Sequence, residues 1–180
     1  MKLYHGSKYR DIDKFKIILR NKNIAEYGNG VYFTSNFKQA KLWSCNKSNI
    51  GAVYEIFVDL RKLKGKNLEN SDLFYYFSYL NRIDLNELVD ECLDELNDVD
   101  YVYGKMLKNI DEFKEDAELF NSGDIDLYEF KKKTKWFGNG WNQYCFRSSK
   151  AVDLINASKI KIYYTKKIGN KTTVENYPKK

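Results

Sequence analysis

The sequence predicts an α+β fold in a single domain. Predicted strands and helices are mixed along the 180 residues, without the regular strand–helix alternation of a parallel α/β protein. The hydrophobic fraction of 43% and the aromatic fraction of 16% are high enough to build a core, which excludes a disordered chain. The apolar runs are far shorter than the roughly 20 residues that a membrane helix needs, so no membrane segment is predicted.

The N-terminal third is predicted to hold three strands and one helix. The strand segments are short, rich in β-branched and aromatic residues, and bounded by glycine turns or polar residues. Ser35 or Asn36 can cap the helix, whose apolar positions continue to Trp43. The predicted strands are residues 2–5, which end at Gly6 and Ser7, residues 31–34, which follow a turn at 28–30, and residues 52–59.

The middle of the chain is predicted to form a helical insertion over about residues 68–135. Within it, Asp84–Asp100 contains eight acidic residues and no basic one. This pattern predicts a solvated helix face or, alternatively, an acidic surface that docks a basic partner or covers the basic C-terminal part. The predicted helices are residues 71–81, 85–97, 110–120 and 126–135, with a short strand at 101–104.

The C-terminal part is predicted to contain two strands with a helix between them. The strands are residues 141–146, after a turn at 138–140, and the alternating residues 159–166, and Ser148 or Ser149 can cap a helix through Ile155. Residues 167–180 are polar and are expected to fray. The sequence therefore predicts one domain over residues 1–166 with a short polar tail.

Charge is distributed unevenly along the chain. The net charge is +6, but residues 131–180 contain 13 Lys and Arg against two acidic residues, a balance of +11. Residues 1–130 have a balance of −5. A solvated lysine-rich surface is the simplest interpretation, and binding of nucleic acid or another polyanion is the alternative.

The cysteine and histidine content excludes several kinds of site. Three cysteines without a C-x-x-C pair argue against a disulfide scaffold or a thiolate zinc site and favour a reducing cytoplasm. The single histidine, His5, excludes a multi-histidine metal centre, and a lone histidine is most often structural. No P-loop, dinucleotide-binding glycine motif or G-x-S-x-G elbow is present, and no signal peptide is expected, because charges interrupt every apolar stretch near the N-terminus.

Three short motifs nevertheless occur in order between Leu3 and Phe146. They are LYHGS at the first strand, GNGVYFTS before a helix that ends near Trp43, and WNQYCF on a late strand. The ordered set resembles the diphtheria-toxin-like branch of the ADP-ribosyltransferases, which includes the poly(ADP-ribose) polymerases. It is still more similar to a bacterial ADP-ribosyltransferase-like family of unknown function. The resemblance implies a split β-sheet core, NAD as the substrate and no metal.

The resemblance also implies roles for individual residues. His5 matches the histidine that hydrogen-bonds the adenosine ribose, and Gly6 and Ser7 match residues that hold the nicotinamide carboxamide. At Gly6 a side chain is expected to block the close approach of the ligand. Tyr32 matches the aromatic residue of the second motif, and Trp43 matches the aromatic that stacks on nicotinamide. The competing interpretation of the aromatic residues is core packing, and since Phe33 alternates with Tyr32, one of the two is expected in the core.

Gln143 occupies the position of the catalytic glutamate in the resemblance. Its carbonyl oxygen can accept a hydrogen bond, but the side chain has no charge and cannot act as a base. The resemblance therefore implies mono-ADP-ribosyl transfer rather than chain elongation, with an inactive NAD- or ADP-ribose-binding module as the alternative. A nearby acid such as Glu26 or Asp59 could substitute for the missing charge. Cys145 shares a strand face with Gln143 and could border the site, although a core position is the simpler interpretation.

The resemblance leaves the acceptor open between protein and nucleic acid, and no membrane is implied. Because some bacterial relatives look like toxin components encoded beside small proteins, it also suggests a toxin-like effector with a neutralising partner. The competing class is a plain interaction module that uses the acidic 84–100 segment. If the strand that carries Gln143 lines an NAD-binding cleft, a C-terminal basic group is expected near the mouth of that cleft, where it would serve NAD or an anionic acceptor. The group consists of Lys131, Lys132, Lys133, Lys135, Arg147 and Lys150.

Overall fold

A computed structural model describes residues 1–17, 27, 29–69 and 98–175. In these ranges the chain has the α+β architecture that the sequence predicts, with eight strands, four α-helices and a 3₁₀ turn at Leu60–Lys62. Within the same ranges, no helix combines the length and the apolar character needed to cross a lipid bilayer. The strands are β1 (Lys2–Ser7), β2 (Val31–Phe33), β3 (Ile50–Phe57), β4 (Gly65–Asn67), β5 (Tyr101–Lys105), β6 (Asn142–Phe146), β7 (Lys161–Ile168) and β8 (Lys171–Val174), and the helices are α1 (Phe37–Ser44), α2 (Ile110–Ser122), α3 (Leu127–Lys133) and α4 (Ser149–Asn156).

The strands form two four-stranded sheets. The first sheet has the order β1-β3-β7-β8 and is antiparallel throughout. The second has the order β2-β6-β5-β4, in which only the β4–β5 pair is parallel. The sheets are linked where β1 passes the end of β2, because Tyr4 and Thr34 exchange backbone hydrogen bonds of 2.8 and 2.9 Å. This link brings His5 and Tyr32, which flank it, to the same place in the molecule.

One apolar core joins the two sheets. It is built from inward-facing residues of β1, β2, β3 and β6 together with the apolar side of α4. Alternation along each strand explains the pattern, since every second side chain faces the same side. The fully buried members include Leu3, Phe33, Tyr54, Phe146 and Ile155.

A second core covers the opposite face of the second sheet. Helices α2 and α3 pack there against β5 and β6, with Phe113 and Phe130 buried 5.1 Å apart between ring centroids. Cys145 is completely buried in this core. The helices begin at Asn109 and Asp126, whose side chains accept hydrogen bonds from backbone amides in the first helical turn.

Two predicted boundaries at the ends of the chain are wrong. Strand β1 does not end at Gly6 and Ser7, because these residues pair with Val53 and Ala52 of β3. The segment predicted to fray contains the end of β7 and strand β8, which form a hairpin around Gly169 at a positive φ of 57°. Pairing of backbone groups in this hairpin orders a segment whose side chains are mostly polar.

The predicted insertion over residues 68–135 is only partly helical. It contains β5, which lies between β4 and β6 and is therefore an internal strand of the second sheet. The predicted helices at 110–120 and 126–135 are present as α2 and α3. The predictions for residues 71–81 and 85–97 lie outside the described residues.

The end of the acidic stretch that is described has a structural role. Asp100 is 8% exposed, and its carboxylate accepts hydrogen bonds from the Ser148 hydroxyl, the Lys64 backbone amide and the Lys150 ammonium. Its backbone carbonyl also accepts from the amide of Arg147 at 2.9 Å. Asp100 thus links the start of β5 to the end of β6 and the start of α4. This structural role differs from the solvated face and the docking surface that were predicted for the acidic stretch.

Candidate functional site

A cleft of about 820 Å³ lies where the two sheets meet. Its volume is within the range of about 300–1,000 Å³ typical of small-molecule and cofactor sites. Strands β1, β2 and β6, the end of α1 and the segment after β1 all contribute to the walls. The structure brings together in this cleft all six residues singled out from the motifs, namely His5, Gly6, Ser7, Tyr32, Trp43 and Gln143.

The His5 ring is fixed by the neighbouring strand. Its Nδ1 lies 2.7 Å from the backbone carbonyl oxygen of Tyr32. A carbonyl can only accept, so Nδ1 carries the hydrogen, and in the neutral ring Nε2 is then the acceptor nitrogen. The ring also packs edge-on against Phe15, with 5.2 Å between centroids. His5 can therefore present an acceptor, such as a ribose hydroxyl requires, in a defined orientation.

The aromatic pair on β2 divides between the cleft and the core. Phe33 is completely buried and packs against Phe146, whereas Tyr32 lines the cleft. The hydroxyl oxygen of Tyr32 accepts a hydrogen bond of 3.0 Å from the amide of Tyr27. The expectation that one residue of the pair is in the core is confirmed. Trp43, at the end of α1, is half-buried and forms part of the cleft wall.

Gly6 is required by the packing of α1, independently of the ligand contact that the resemblance implies. A Cβ at this position would collide with the carbonyl oxygen of Ala40 and lie 3.0 Å from the amide nitrogen of Ser44. The missing side chain therefore makes room for α1, which packs directly on β1. Ser7 is buried next to it, and its Oγ accepts a hydrogen bond of 3.1 Å from the amide of Tyr9.

Gln143 lines the cleft and is only 3% exposed. Its neighbour Asn142 positions this part of β6. The Asn142 backbone accepts a hydrogen bond from Gln39 Nε2 at 2.9 Å and donates one to Gln39 Oε1 at 3.2 Å. The Asn142 side-chain oxygen accepts from the Ser35 amide and the Thr34 hydroxyl at 3.0 and 3.1 Å.

These contacts clamp β6 to the end of β2 and the start of α1. Asn36, one of the two predicted caps, is the residue that caps α1, since its side chain accepts from the Gln39 amide. Gln39 itself was missed from the sequence, where it reads as a solvent-facing helix residue. A polar residue near the start of an apolar helix, one turn after the cap, is the only sequence signal for it.

One of the two acids proposed as substitutes for the missing glutamate, Asp59, is not at the cleft. Asp59 lies outside the cleft and forms an ion pair with Arg61 at 2.8 Å. Its hydrogen bonds with the Arg61 side chain lower the pKa of the Asp59 carboxyl to about 2. Glu26 lies outside the described residues. Among the residues that the structure does describe, no Asp or Glu lines the cleft.

Positive charge does line the cleft, but it comes from an unexpected part of the chain. Five exposed lysines contribute, and we call them the cleft lysines. Three lie in the segment after β1, one follows α1 and one follows β5. Within the described residues none of them forms an ion pair with a carboxylate. The cleft lysines are Lys8, Lys14, Lys16, Lys47 and Lys108.

The segment that carries three cleft lysines is attached firmly to the core. Phe15 is buried, and its backbone amide and carbonyl are bonded to the side chain of Asn156 at 2.8 and 3.0 Å. The amide of Ile12 donates to the Tyr54 hydroxyl at 3.0 Å. Lys14 and Lys16 flank Phe15 and are therefore held at the cleft.

The C-terminal basic group was wrongly predicted at the cleft mouth, because none of its six members lines the cleft. Lys133 pairs with Asp116 and Lys135 pairs with Glu112, at 3.0 and 2.8 Å. Lys150 pairs with Asp100. Arg147 is half-buried, and burial lowers the pKa of its guanidinium. The acidic partners come mainly from α2, which places them beside the end of α3.

Cys145 shares a strand face with Gln143, as expected from their spacing, but it belongs to the second core and does not line the cleft. Besides Phe15, two aromatic residues that the sequence did not single out do line it. Tyr9 is 64% exposed, and Phe137 stacks on Trp141 with 4.7 Å between centroids and 18° between planes. Their positions beside Ser7 and beside a glycine turn are the signals that could have identified them.

Comparisons with known proteins assign the chain to a family without assigning an activity. A search of curated proteins finds no match to this chain. A family model described as "Protein of unknown function (DUF3990)" matches residues 1–156. Since this match covers most of the 180 residues, the chain belongs to the DUF3990 family of proteins of unknown function.

Proposed function

We propose that the protein is an NAD-dependent mono-ADP-ribosyltransferase whose substrate site is the cleft between the two sheets. The observation that carries the proposal is the convergence of the three motifs. Residues separated by more than 130 positions in the chain, from His5 to Gln143, lie in one cleft of suitable size. The division into two sheets supports the split-sheet core that the motif resemblance implies.

The cleft offers a fitting group for each part of NAD. Trp43 supplies a flat aromatic surface for the nicotinamide ring, and stacking favours a cationic ring because the aromatic face is electron-rich. The Nε2 lone pair of His5 can accept a hydrogen bond from a ribose hydroxyl. The cleft lysines provide the positive charge that the pyrophosphate requires.

The transfer requires little acid–base chemistry. The bond between the ribose C1′ and the nicotinamide nitrogen breaks, its electron pair leaves with neutral nicotinamide, and the ribose becomes oxocarbenium-like. An acceptor nucleophile then bonds to C1′. The protein must hold the bent substrate and stabilise the positive charge, which are tasks of orientation and electrostatics.

Gln143 fits a weakened version of this mechanism. Its carbonyl oxygen can accept a hydrogen bond from the ribose 2′-hydroxyl, but it adds no negative charge. A unit charge at about 5 Å and an effective dielectric constant of about 20 is worth roughly 3 kcal/mol. This corresponds to about 100-fold in rate. Slow transfer of a single ADP-ribose is therefore proposed, rather than elongation of a chain.

Isothermal calorimetry with NAD is the first test. Binding to the wild-type protein is expected, with loss of at least tenfold in affinity in Trp43→Ala, because the stacking surface is removed. Tyr128→Ala is the matched control, since Tyr128 is 73% exposed on α3 and outside the cleft. Absence of NAD binding by a folded wild-type protein would overturn the proposal.

A substitution at Gln143 tests the mechanism. Gln143→Glu is expected to raise nicotinamide release from NAD by up to about 100-fold, since it restores the missing charge. Glu26→Gln is the companion variant, because Glu26 was named as a substitute acid. A Gln143→Glu protein that binds NAD but is as slow as the wild type would argue against contact between this residue and the ribose.

A second function is favoured by one observation. No described acidic residue lines the cleft, so binding of NAD or an ADP-ribosylated ligand without turnover is the alternative. The two functions differ in one measurement. Incubation with NAD labelled in its adenylate phosphate transfers label to a macromolecule only if the protein is a transferase. Binding without any label transfer, in wild type and Gln143→Glu alike, would establish the binding module.

A further inference from the structure

We propose that the acceptor is the terminal phosphate of a single-stranded nucleic acid, which enters the cleft along Lys14, Lys16 and Lys108. This inference rests on the proposed transferase function, because it names the substrate class of the same cleft. It draws on three independent features of the cleft: positive charge beyond what NAD needs, aromatic side chains in the wall, and the absence of a described carboxylate that could act as a base.

The cleft carries more positive charge than NAD needs. The pyrophosphate of NAD has two negative charges, and two cleft lysines lie next to the predicted NAD-binding residues in the chain. Lys8 follows Ser7, and Lys47 follows the helix that ends near Trp43. The other three cleft lysines remain, and among the described residues none of them forms an ion pair with a carboxylate. A lysine ammonium is a common ligand for phosphate, so a second anion fits this side of the cleft.

Aromatic side chains of the cleft wall, one of them exposed, accompany the surplus charge. Tyr9 is 64% exposed and lines the cleft between Lys8 and the Lys14–Lys16 stretch of the same segment. Phe137, also on the cleft wall, is held in place by its stacking on Trp141. Lysines interleaved with aromatic rings are typical of single-strand binding, where bases stack and phosphates contact ammonium groups. A free phosphate or a phosphopeptide would use the lysines but not the rings.

The chemistry of the cleft also favours a phosphate nucleophile. Gln143 cannot remove a proton, no described carboxylate lines the cleft, and the Nε2 of His5 is assigned here to the ribose of NAD. A terminal phosphate needs no deprotonation. One of its anionic oxygens bonds to C1′ of the ribose, the bond between C1′ and the nicotinamide nitrogen breaks, and its electron pair leaves with nicotinamide. The phosphate loses one negative charge, the nicotinamide loses its positive charge, and no proton is transferred.

The acceptor test uses NAD labelled in its adenylate phosphate and oligonucleotides of about ten nucleotides, a length within common single-strand site sizes. Four ends are compared, in DNA and in RNA: 5′-phosphate, 3′-phosphate, and the two corresponding hydroxyl ends. Label is expected on a phosphorylated oligonucleotide and not on its hydroxyl counterpart. Label on hydroxyl-ended oligonucleotides, on duplexes alone, or only on protein would overturn the inference.

The lysine contribution is tested by binding, without NAD, measured as fluorescence anisotropy of the phosphorylated single strand over a range of salt concentrations. Lys14→Gln/Lys108→Gln should reduce the slope of log affinity against log salt by about 1.4, since each single-strand phosphate contact contributes about 0.7. Lys133→Gln/Lys135→Gln changes the net charge equally but alters lysines already paired with acids. Equal losses in the two variants would overturn the inference.

The aromatic contribution has its own matched pair. Tyr9→Ala is expected to weaken single-strand binding at least fivefold without changing the salt slope, because stacking is lost and no charge is altered. Tyr128→Ala should leave the affinity unchanged. An unchanged affinity in Tyr9→Ala would remove the stacking argument and with it the preference for nucleic acid over other phosphates.

Failure of this inference and failure of the transferase proposal give different results. If the protein binds NAD and labels a protein but no nucleic acid, the transferase stands and the acceptor inference is overturned. If it binds the phosphorylated strand with the expected lysine dependence but binds no NAD, the transferase proposal fails. In that case the acceptor step fails too, although the binding surface is established.

Discussion

The protein contains two basic regions that differ in their surroundings. The C-terminal basic group stands out in the sequence, but three of its members are paired with the acids Asp116, Glu112 and Asp100. The cleft lysines come from residues 1–130, the part of the chain with a negative balance, and no described acid forms an ion pair with them. Lysines that are conspicuous in the sequence are thus in part paired with acids of the same chain, whereas lysines from the more acidic part of the chain line the cleft.

The difference follows from topology rather than composition. Helices α2 and α3 are neighbours in the chain and pack together, so the acidic residues of α2 meet the lysines at the end of α3. The segment after β1 also contains acids, Asp11 and Asp13, but they do not line the cleft. Phe15 anchors this segment in the core, and the lysines of the segment line the cleft whereas its acids do not.

The largest expected effect tests whether the region around the cleft requires close packing of α1 on β1, in addition to its charge. Gly6→Ala should lower the free energy of unfolding by about 3 kcal/mol or more, because the new methyl group collides with the backbone of α1. Gly138→Ala is the control, since no atom lies within 4 Å of its added Cβ. Chemical denaturation measures both. A fully stable Gly6→Ala protein with weakened NAD binding would instead favour the ligand contact that the motif implies.

The next effect concerns the partner of a C-terminal lysine. Asp100→Asn should cost about 2–3 kcal/mol, because a buried carboxylate with charge-assisted hydrogen bonds is replaced by an amide. Asp98→Asn, which alters a surface pair with Lys64, should cost less than about 1 kcal/mol. Urea denaturation of both variants makes the comparison, and equal costs would contradict a structural role for Asp100.

The same carboxylate predicts a pH dependence of stability. Burial by itself raises the pKa of Asp100, but hydrogen bonds from Ser148, the Lys64 amide and Lys150 outweigh it and lower the pKa. The folded pKa lies below the unfolded value of about 3.9, so the contribution is complete above that pH. It is lost as the pH falls through the folded pKa. The stability difference between wild type and Asp100→Asn should therefore shrink below about pH 4, and a constant difference would contradict this assignment.

A smaller effect distinguishes the cleft lysines from the C-terminal basic group by their contribution to NAD binding. Lys8→Gln/Lys47→Gln should weaken NAD binding about three- to tenfold in low salt, with less effect in high salt because screening already reduces the attraction. Stability should change by less than about 0.5 kcal/mol, since both lysines are exposed. Calorimetry at two salt concentrations provides the measurement. An unchanged affinity for NAD would contradict contact between these two lysines and the pyrophosphate.

The smallest effect is expected in the C-terminal group. Lys133→Gln/Lys135→Gln removes two ion pairs on the surface of α2 and α3, and such pairs contribute about 1 kcal/mol or less. NAD affinity should remain at the wild-type value. A loss of NAD affinity comparable with that of the cleft variant would remove the distinction between the two basic regions.

Local sequence patterns predicted most of the fold, and their failures share a cause. Alternation and capping residues located β2, β6 and α4 within one or two residues, because these elements have one apolar side and clear ends. β8 was missed because its stability comes from pairing with β7, which leaves no apolar pattern in Lys171–Val174. Long-range pairing also explains why β5 inside the predicted insertion is an internal strand.

The candidate site was predicted in part for the same reason. Residues that a motif identifies by their own residue type, such as His5 and Gln143, could be assigned to the candidate site from the sequence. Residues that act through a distant partner could not. Gln39 bonds to Asn142, more than 100 residues away, and the pairing of Lys135 with Glu112 depends on how α2 and α3 pack. The source of the cleft charge was therefore misplaced although the cleft residues were found.

The bridge between Tyr4 and Thr34 makes the junction of the sheets observable. Its two backbone amides are each bonded to the opposite sheet, and His5 and Tyr32 flank them. Their exchange with deuterium therefore reports separation of the sheets next to the cleft-lining residues His5 and Tyr32 rather than fraying at a chain end. A ligand that contacts His5 and Tyr32 together holds the sheets closed and slows that exchange. The fold thus carries two native reporters of ligand binding that need no label and no turnover.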